Sequence, residues 1–563
     1  MKRWGNSIKL VLWYGIFALA EQTSWAEWHV WVAASSQRVL RDGASQNIKS
    51  IDLAAARNEW RSFQILMRSD EPVKGIELKP GRFGEADHPV ADLGLYRQHQ
   101  LEITTPTTRN SAFTPGWYPD PLIPLNHPLT GQRLQGAALV AQPFDLPANQ
   151  THGFWVDVYV KPDAQAGEYQ TEFALTAPGE ESKTVSARLK VWDFALPQTP
   201  SMQTSFGSPA GRMKSWYANH VKVGKDAPIK DWTAVEEQCA QLLAEHRINA
   251  TPPDELLEPQ KQGDGTWRIS EEKLNALGQF IDRYHVNALD VSKNFIFGII
   301  KDPDAARDEI RTRLKAFEMA AKQLNRPNLL FYVYLTDEPN DPEAYDYVRK
   351  WGKAIKEANS VVKVMITEQS TPQKTEWGDL YGAVDIWCPL FPLFEQGNAA
   401  RRQALGETVW AYTALCQRNP TPWWHIDYPL LNYRVPAWIS WRYRIRGLLY
   451  WGGMSFWNET GDPWRDAWTY GHKKSMLVYN GEGTLVYPGR KAGYDGIAPS
   501  LRLKALRDGI EDYEYLTILE RKGLAEEAQK IVLPLAESWF KWQTDPAAYD
   551  RARAQLAKLI MKK

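Results

Sequence analysis

The sequence predicts a multidomain β plus α/β chain: an N-terminal β-sandwich over residues 27–198, a central (β/α)8 TIM-like barrel over 201–499, and a C-terminal helical segment over 500–563. Three observations predict it. At 563 residues the chain is longer than one hydrophobic core sustains. Up to about residue 198 short apolar strands alternate with Pro, Gly, Asn and Asp turns, and beyond it strands alternate with helical patterns. Between the two regimes, Leu196-Pro197-Gln198-Thr199-Pro200 places two prolines in five residues and reads as a linker.

Residues 1–26 read as an address rather than as fold. Lys2, Arg3 and Lys9 accompany the apolar stretch Leu10–Ala20, and Ser24-Trp25-Ala26 sets small residues at the −3 and −1 positions of a cleavage site. The stretch is too short to span a bilayer comfortably, which takes about 20 residues. The reading is a secretory signal, a mature chain from Glu27, and export to the periplasm or medium with no stable membrane span after cleavage; an uncleaved anchor is the alternative. No lipobox cysteine follows.

In the first region His29–Ser35, Ser62–Ser69, Phe154–Val160 and Ala187–Phe194 read as strands. Phe154–Val160 alternates in the manner of a half-buried antiparallel strand, and Val160–Gly179 has the turn signals of a hairpin. The second region offers eight strands: Met202–Gly207, Arg247–Thr251, Val286–Ser292, Leu329–Leu335, Val361–Thr367, Ala383–Leu390, Thr408–Ala414 and Arg446–Gly452. Helical patterns such as Trp232–His246 and Asp308–Leu324 lie between most of them. Eight such repeats over roughly 250 residues fit a (β/α)8 barrel. The tail opens with a Ser500 N-cap, an apolar helical stripe and Gly523 as a stop.

Composition narrows the function classes. With 67 basic and 67 acidic residues and no basic run, nucleic acid is not an expected partner. The 26 Trp and 24 Tyr suit either a large aromatic core or stacking on sugar rings, whose C–H faces are apolar. Cys239, Cys388 and Cys416 are too few for a disulfide scaffold; one pair could oxidise after export, Cys388 with Cys416 being the best placed if their strands are neighbours, and free buried thiols are the default. The ten His show no metal-ligand spacing, so no metal or cofactor is implied.

Chemistry concentrates in Thr336-Asp337-Glu338-Pro339, at the end of the fourth expected strand. The C-terminal ends of barrel strands form the active face. The plainer alternative makes Thr336 an N-cap, the acids complements to a helix dipole and Pro339 a first-turn residue. Cleaving a glycosidic bond needs a proton for the leaving oxygen and support for positive charge at the anomeric carbon. Glu338 is the candidate general acid. Adjacent residues of a strand point opposite ways, so Asp337 and Glu338 are awkward as two carboxylates flanking a sugar. They suit a reaction in which the sugar's 2-acetamido oxygen is the nucleophile and Asp337 steadies the acetamido group. Glu368 and Asp385, in the fifth and sixth strands, are the rival nucleophile or base. Two further classes stay open: a non-catalytic glycan-binding protein and an exported scaffold.

Weaker substrate-binding candidates are Tyr412 for the acetamido carbonyl, Trp451 or Trp457 beneath the sugar, Trp387, Trp423, Trp424 and His425 on the aglycone side, and Asn294 for a hydroxyl. Glu511 and Asp512 read as structural acids with Arg507 as partner. Each aromatic has core packing as its alternative.

The motifs together resemble glycoside hydrolase family 123. Asp337 and Glu338 match the family's adjacent catalytic pair. Gly447–Asn458, Asp462–Trp468, Gly483–Gly489 and Pro499–Leu516 resemble its C-terminal catalytic region, and Ala55–Met67 and Val158–Phe173 are similar to its β-sandwich domain. The resemblance covers nearly all of the expected mature chain. It implies β-N-acetylgalactosaminidase activity by substrate assistance on an oligosaccharide, polysaccharide or glycoconjugate, with no cofactor.

Overall fold

Among the described residues, ten strands precede the Pro-rich linker and form two five-stranded sheets. The computed structural model describes Met1 and residues 27–294, 300–417, 420–457, 461–472 and 476–562, so the expected signal segment lies, but for Met1, outside the described residues. The first sheet runs β1 (Trp28–Ala34), β3 (Glu59–Ser69), β8 (His152–Val160), β5 (Ala91–Ile103), β6 (Gly116–Pro124), antiparallel throughout. The second runs β2 (Ser50–Arg57), β10 (Lys183–Ala195), β9 (Gly167–Thr176), β4 (Val73–Lys79), β7 (Phe144–Leu146), with β2 and β10 parallel. Alternation sends Phe63, Ile65, Phe154, Val156 and Val158 of the first sheet and Leu53, Phe173, Leu175, Ala187 and Leu189 of the second into one shared core. Strand β8 departs from expectation. It is buried on both faces, because its other face, with Trp155 and Asp157, is covered by a C-terminal helix.

After the linker, seven short strands form one parallel, barrel-like sheet: β11 (Gln203–Ser205), β14 (Ala288–Asp290), β15 (Leu330–Thr336), β16 (Val362–Ile366), β17 (Ile386–Trp387), β18 (Thr408–Thr413) and β19 (Gly447–Tyr450), ordered β11-β19-β18-β17-β16-β15-β14. A small hairpin, β12 (Gln260–Lys261) with β13 (Trp267–Arg268), lies outside it. The expected second strand, Arg247–Thr251, is not a strand. Arg247 takes a left-handed φ of 56°, and Pro252 and Pro253 follow without N–H donors. Asn249 bridges the vacancy with its side chain instead. Its Nδ2 donates to the Thr204 carbonyl (2.9 Å) and to Asn287 Oδ1 (2.8 Å), and its Oδ1 accepts from the Asn287 N–H (2.9 Å). The sheet is thus nearly closed, sewn at one seam by amides.

Inward and outward layers follow from strand alternation. Phe331, Val333, Leu335, Val364, Ile366, Val409 and Leu448 face the surrounding helices, α1 (Pro209–Lys222) to α7 (Leu431–Arg442). Tyr332, Met365, Ile386, Trp410 and Leu449 fill the interior. Gly447 makes room for Trp410: a Cβ there would sit 2.4 Å from the indole.

Helix α8 (Leu501–Arg521) starts at Ser500, whose hydroxyl accepts from the Leu503 N–H (3.1 Å), and gives way to Gly523 at φ 74°. The sequence suggests an amphipathic helix, but eighteen of its 21 residues are buried, including every charged one as far as Glu514. Gly509 lets α7 approach, since a Cβ would lie 2.6 Å from the Arg434 carbonyl oxygen. Arg507 pairs not with the Glu511–Asp512 acids but with Asp157 of β8 (3.0 Å), which also takes Lys504 (2.7 Å), Ser62 (2.6 Å) and Trp155 Nε1 (2.7 Å). Burial opposes the Asp157 charge, but Arg507 and Lys504 outweigh it and hold the carboxyl far below its ordinary range. Removing one partner of a buried ion pair typically costs about 3–5 kcal/mol. Asp157→Ala is therefore expected to lower the unfolding free energy by about that amount in denaturant titration; a loss under about 1 kcal/mol would show that water relaxes into the site.

Candidate active site

Strand β15 delivers the acids. Tyr332 and Tyr334 point inward in successive layers, and a register shift against β16 between Tyr334 and Thr336 makes a bulge that redirects the chain as it leaves the sheet. Glu338 follows at φ 41°, a left-handed conformation that side-chain-bearing residues seldom hold. The capping alternative fails here. The next helix, α5 (Pro342–Glu357), is capped by Asp341, whose side chain accepts from the Ala344 N–H (2.7 Å), and Pro342, not Pro339, occupies its first turn.

Two separate sets of neighbours hold the pair. Tyr334 Oη donates to Asp337 Oδ1 (2.6 Å), and Thr367 Oγ1 donates to the same oxygen (3.0 Å). Thr367, just beyond β16, also accepts the Glu338 backbone N–H (2.8 Å), so one hydroxyl ties both acids to the neighbouring strand. From β18, Tyr412 Oη donates to Glu338 Oε1. Burial, then the adjacent carboxylates, raise the Tyr334 and Tyr412 hydroxyls far above their ordinary range, so both stay protonated donors. The second oxygens of Asp337 and Glu338 take no hydrogen bond from the described residues. Asp337 is exposed and Glu338 half-buried.

Glu368 lies beside this pair, almost fully buried. Its Oε1 accepts from the Gln369 N–H (3.0 Å) and its Oε2 from Gln373 Nε2 (2.7 Å). The same Gln373 nitrogen reaches Asn340 Oδ1 (2.9 Å) and the Pro339 carbonyl (3.2 Å), fastening the turn just past Glu338. Burial raises the Glu368 carboxyl to about 7; its two donors lower it and the Glu338 charge raises it further. Asp385 is elsewhere. It precedes β17 at the opposite end of the sheet, bound by Lys356 (2.9 Å) and the Val364 N–H (2.9 Å).

Of the aromatic candidates, the structure brings Tyr412 and Trp451 to this end of the sheet. Trp451 follows β19, half-buried against Phe456 and Tyr470 (ring centroids 5.0 and 5.4 Å away), and its indole N–H donates to Glu482. The other indoles are core residues with backbone or side-chain acceptors: Trp387 to Glu407 (2.6 Å), Trp423 to Ala414 (3.1 Å), Trp424 to Asn432 (3.0 Å) and Trp457 to Val486 (3.0 Å). His425 is completely buried, its Nδ1 3.5 Å from Glu482. Asn294 ends a short 3-10 turn, Ser292–Asn294, and its side chain lies outside the described residues. Cys388 is buried and Cys416 exposed, and both are free thiols. Partial burial raises the Cys416 thiol, and the Glu338 and Glu482 charges raise it further.

Comparison with known proteins bears on the chemistry of this end of the sheet. Residues 279–519 match the family described as glycoside hydrolase 123, catalytic domain. The protein is a glycoside hydrolase, and Asp337, Glu338, Thr367, Tyr412, Trp451 and Glu482 all fall inside the matched region. A solved family 123 glycoside hydrolase from Clostridium perfringens, reported with the details of glycolipid glycan hydrolysis, is similar over 95% of this chain and 97% of that one, at 14% identity and TM-score 0.62. A family 39 glycoside hydrolase from the gut symbiont Bacteroides cellulosilyticus WH2 overlaps 84% of this chain and 82% of its own at 10% identity, with a TM-score of 0.31 that is too low to bear on function. No curated protein matches the sequence.

Three residues that support the acids in this hydrolase, Tyr334, Thr367 and Gln373, are absent from the sequence-based candidates, as is Glu482, which holds the Trp451 indole. Thr367 and Tyr334 left a trace, as the polar end of the fifth strand and as the inward residue one layer below the acids. Gln373 and Glu482 sit in loops, where periodicity says nothing. The buried acids have a consequence for stability. A carboxyl whose folded pKa lies above its unfolded value favours the fold while protonated. The contribution of Glu368 is complete below the ordinary glutamate range and is lost as pH rises through about 7. Thermal unfolding followed across that window is expected to show Glu368→Gln flattening the loss of stability near neutrality; an unchanged slope would refute the burial-driven shift.

Proposed function

We propose that this glycoside hydrolase is an exported, retaining β-N-acetylhexosaminidase, with N-acetylgalactosamine as the preferred sugar, acting by substrate assistance. The observation that carries it is the division of labour between neighbours: Asp337 pinned through one oxygen by Tyr334 and Thr367, Glu338 held through one oxygen by Tyr412. Each acid keeps an oxygen for substrate. The architecture proposed around them is a β-sandwich at 27–198, a (β/α)8 barrel at 201–499 whose second strand is replaced by the Asn249 seam, and a helical region at 500–563.

In the first step the acetamido carbonyl oxygen attacks the anomeric carbon while Glu338 gives its proton to the leaving glycosidic oxygen. The old C–O bond breaks and an oxazolinium ring closes. Asp337 accepts the acetamido N–H and stabilises the positive charge of that ring. In the second step Glu338, now a carboxylate, takes a proton from water as the water oxygen attacks the anomeric carbon and the ring opens. Two inversions give net retention.

A separate nucleophile is the second reading, and the proximity of Glu368 to Glu338 is what favours it. A carboxyl held near 7, with both oxygens already engaged, is a poor nucleophile below neutrality. The two readings differ on substrate. With aryl β-glycosides of GalNAc, GlcNAc, galactose and glucose, turnover is expected from the 2-acetamido sugars alone, and Glu338→Gln and Asp337→Asn should each lower kcat by about 100-fold or more. Turnover of plain galactoside or glucoside, or loss of activity in Glu368→Ala but not in Asp337→Ala, would overturn substrate assistance. Export is checked by the intact mass of the chain recovered from a bacterial periplasm or medium, expected to begin at Glu27; a retained residue 1–26 segment would refute cleavage.

A further inference from the structure

The loop Gly481-Glu482-Gly483 carries a carboxylate that the proposed reaction does not use. Glu482 is completely buried in the segment between β21 (Leu477–Asn480) and β22 (Val486–Pro488), with β20 (Trp468–His472) paired antiparallel to β21. One of its oxygens accepts the Trp451 indole N–H, and the other stands 3.5 Å from Nδ1 of His425. Neither ring nitrogen of that buried imidazole has a hydrogen-bond partner among the described residues. Burying a carboxyl and an imidazole together is costly unless they serve each other or a third group. The third group here is the indole.

Trp451 is gripped from several sides. Glu482 takes its N–H, Phe456 and Tyr470 contact the ring, and Gly483 lies against its far edge, where an added Cβ would come within 3.0 Å of Cη2 and 3.1 Å of Cζ2. Gly483, at φ 67°, and Gly452, at φ 81°, give the two backbones the freedom to pass this closely. The three rings are each half-buried, so they form a wall with one side in protein and one side open. That wall stands on the strand next to β18. Tyr450 pairs with Thr413, the residue after the Tyr412 that holds Glu338.

We propose that Glu482 is a positioning residue that fixes the plane of the Trp451 indole as a stacking platform for the sugar ring beside Asp337 and Glu338. A hydrogen bond through the indole N–H removes rotation about the last side-chain bond of Trp451, so the platform is set before substrate arrives and binding costs less ordering. His425, kept neutral by burial, fills the remaining side of the carboxyl without competing for the indole. This proposal rests on the reading of this end of the sheet as a glycan site.

The test is steady-state kinetics of the full chain on aryl β-GalNAc, with thermal unfolding as a check on folding. Glu482→Leu is expected to raise KM about ten-fold with kcat changed less than about two-fold, because stacking serves ground state and transition state alike. Glu482→Gln keeps an oxygen acceptor for the indole and should return KM to within about two-fold of the wild type. Trp451→Phe should raise KM similarly, and the double variant Glu482→Leu/Trp451→Phe should be no worse than Trp451→Phe alone. Gly483→Ala, which pushes on the ring while leaving Glu482 in place, supplies the same KM signature if the leucine variant does not fold. Additive effects in the double variant, or a kcat loss without a KM change, would overturn the proposal while wild-type turnover lost in Glu338→Gln leaves the proposed reaction standing. A wild type that turns over no glycoside would sink both.

Discussion

The molecule depends on the burial of helix α8 together with its acidic and basic side chains. Its Arg502, Lys504, Arg507, Glu511, Asp512 and Glu514 leave water completely, which is affordable only where each meets an opposite charge or a donor. Arg502 meets Asp120 of β6 (2.9 Å), Arg507 and Lys504 meet Asp157 of β8, Asp512 meets Arg434 of α7 (2.6 Å), and Glu514 takes the N–H of Ser201, the residue just after the linker (2.6 Å). Glu511 accepts from the Trp60 N–H (3.0 Å), and Arg553 of α10 (Pro546–Met561) bridges Asp512 to Glu59 (2.8 Å). Apolar contacts tolerate sliding; a helix whose charges each have one matching site does not. The two-sheet region, the linker and the parallel sheet are thus seated in one arrangement by the same helix.

That seating matters for the chemistry because the acids are carried by a short strand and a strained turn. The left-handed Glu338 costs on the order of 1–3 kcal/mol and persists only because its surroundings over-determine it. Thr367 takes its N–H, Tyr412 holds its carboxyl, and Gln373 fixes the turn beyond. Beneath them Tyr332 and Trp410 form a filled layer, edge to face at 5.5 Å. The tyrosines one layer higher cannot sink into the interior, and their hydroxyls stay at the level of the carboxylates. Preorganised donors of this kind do their reorganising during folding rather than during reaction.

Much of this was legible in the chain. The fourth strand and the acids at its exit were readable because a buried strand is an apolar run and its end is where polarity returns. The change of rhythm at the Pro-rich linker separated the antiparallel sheets from the parallel one. The second strand misled, because Arg247–Thr251 has strand composition while its edge hydrogen bonds are made by the Asn249 side chain. Helix α8 misled in the other direction: a polar stripe normally means solvent, and nothing local states that Asp157 and Asp120 will arrive to cover it. The tryptophans misled as a class, since an indole suits a core and a sugar equally well, and most found backbone or carboxylate acceptors inside.

The sequence by itself determined the strand–helix order, the position of Asp337 and Glu338 at a strand exit, and the Ser500 start and Gly523 stop of α8, because periodicity, caps and turn residues act over a few neighbours. Only the tertiary structure decided which oxygen of each acid is occupied, that Pro342 rather than Pro339 opens the next helix, and that Glu368 and Glu482 are buried carboxyls while Asp385 lies at the far end of the sheet. Those outcomes depend on pairs from separate strands and loops, such as Thr367 with Glu338 and Glu482 with Trp451. Hydrogen bonding and desolvation at such distances are set by which strands become neighbours, and no local pattern encodes that.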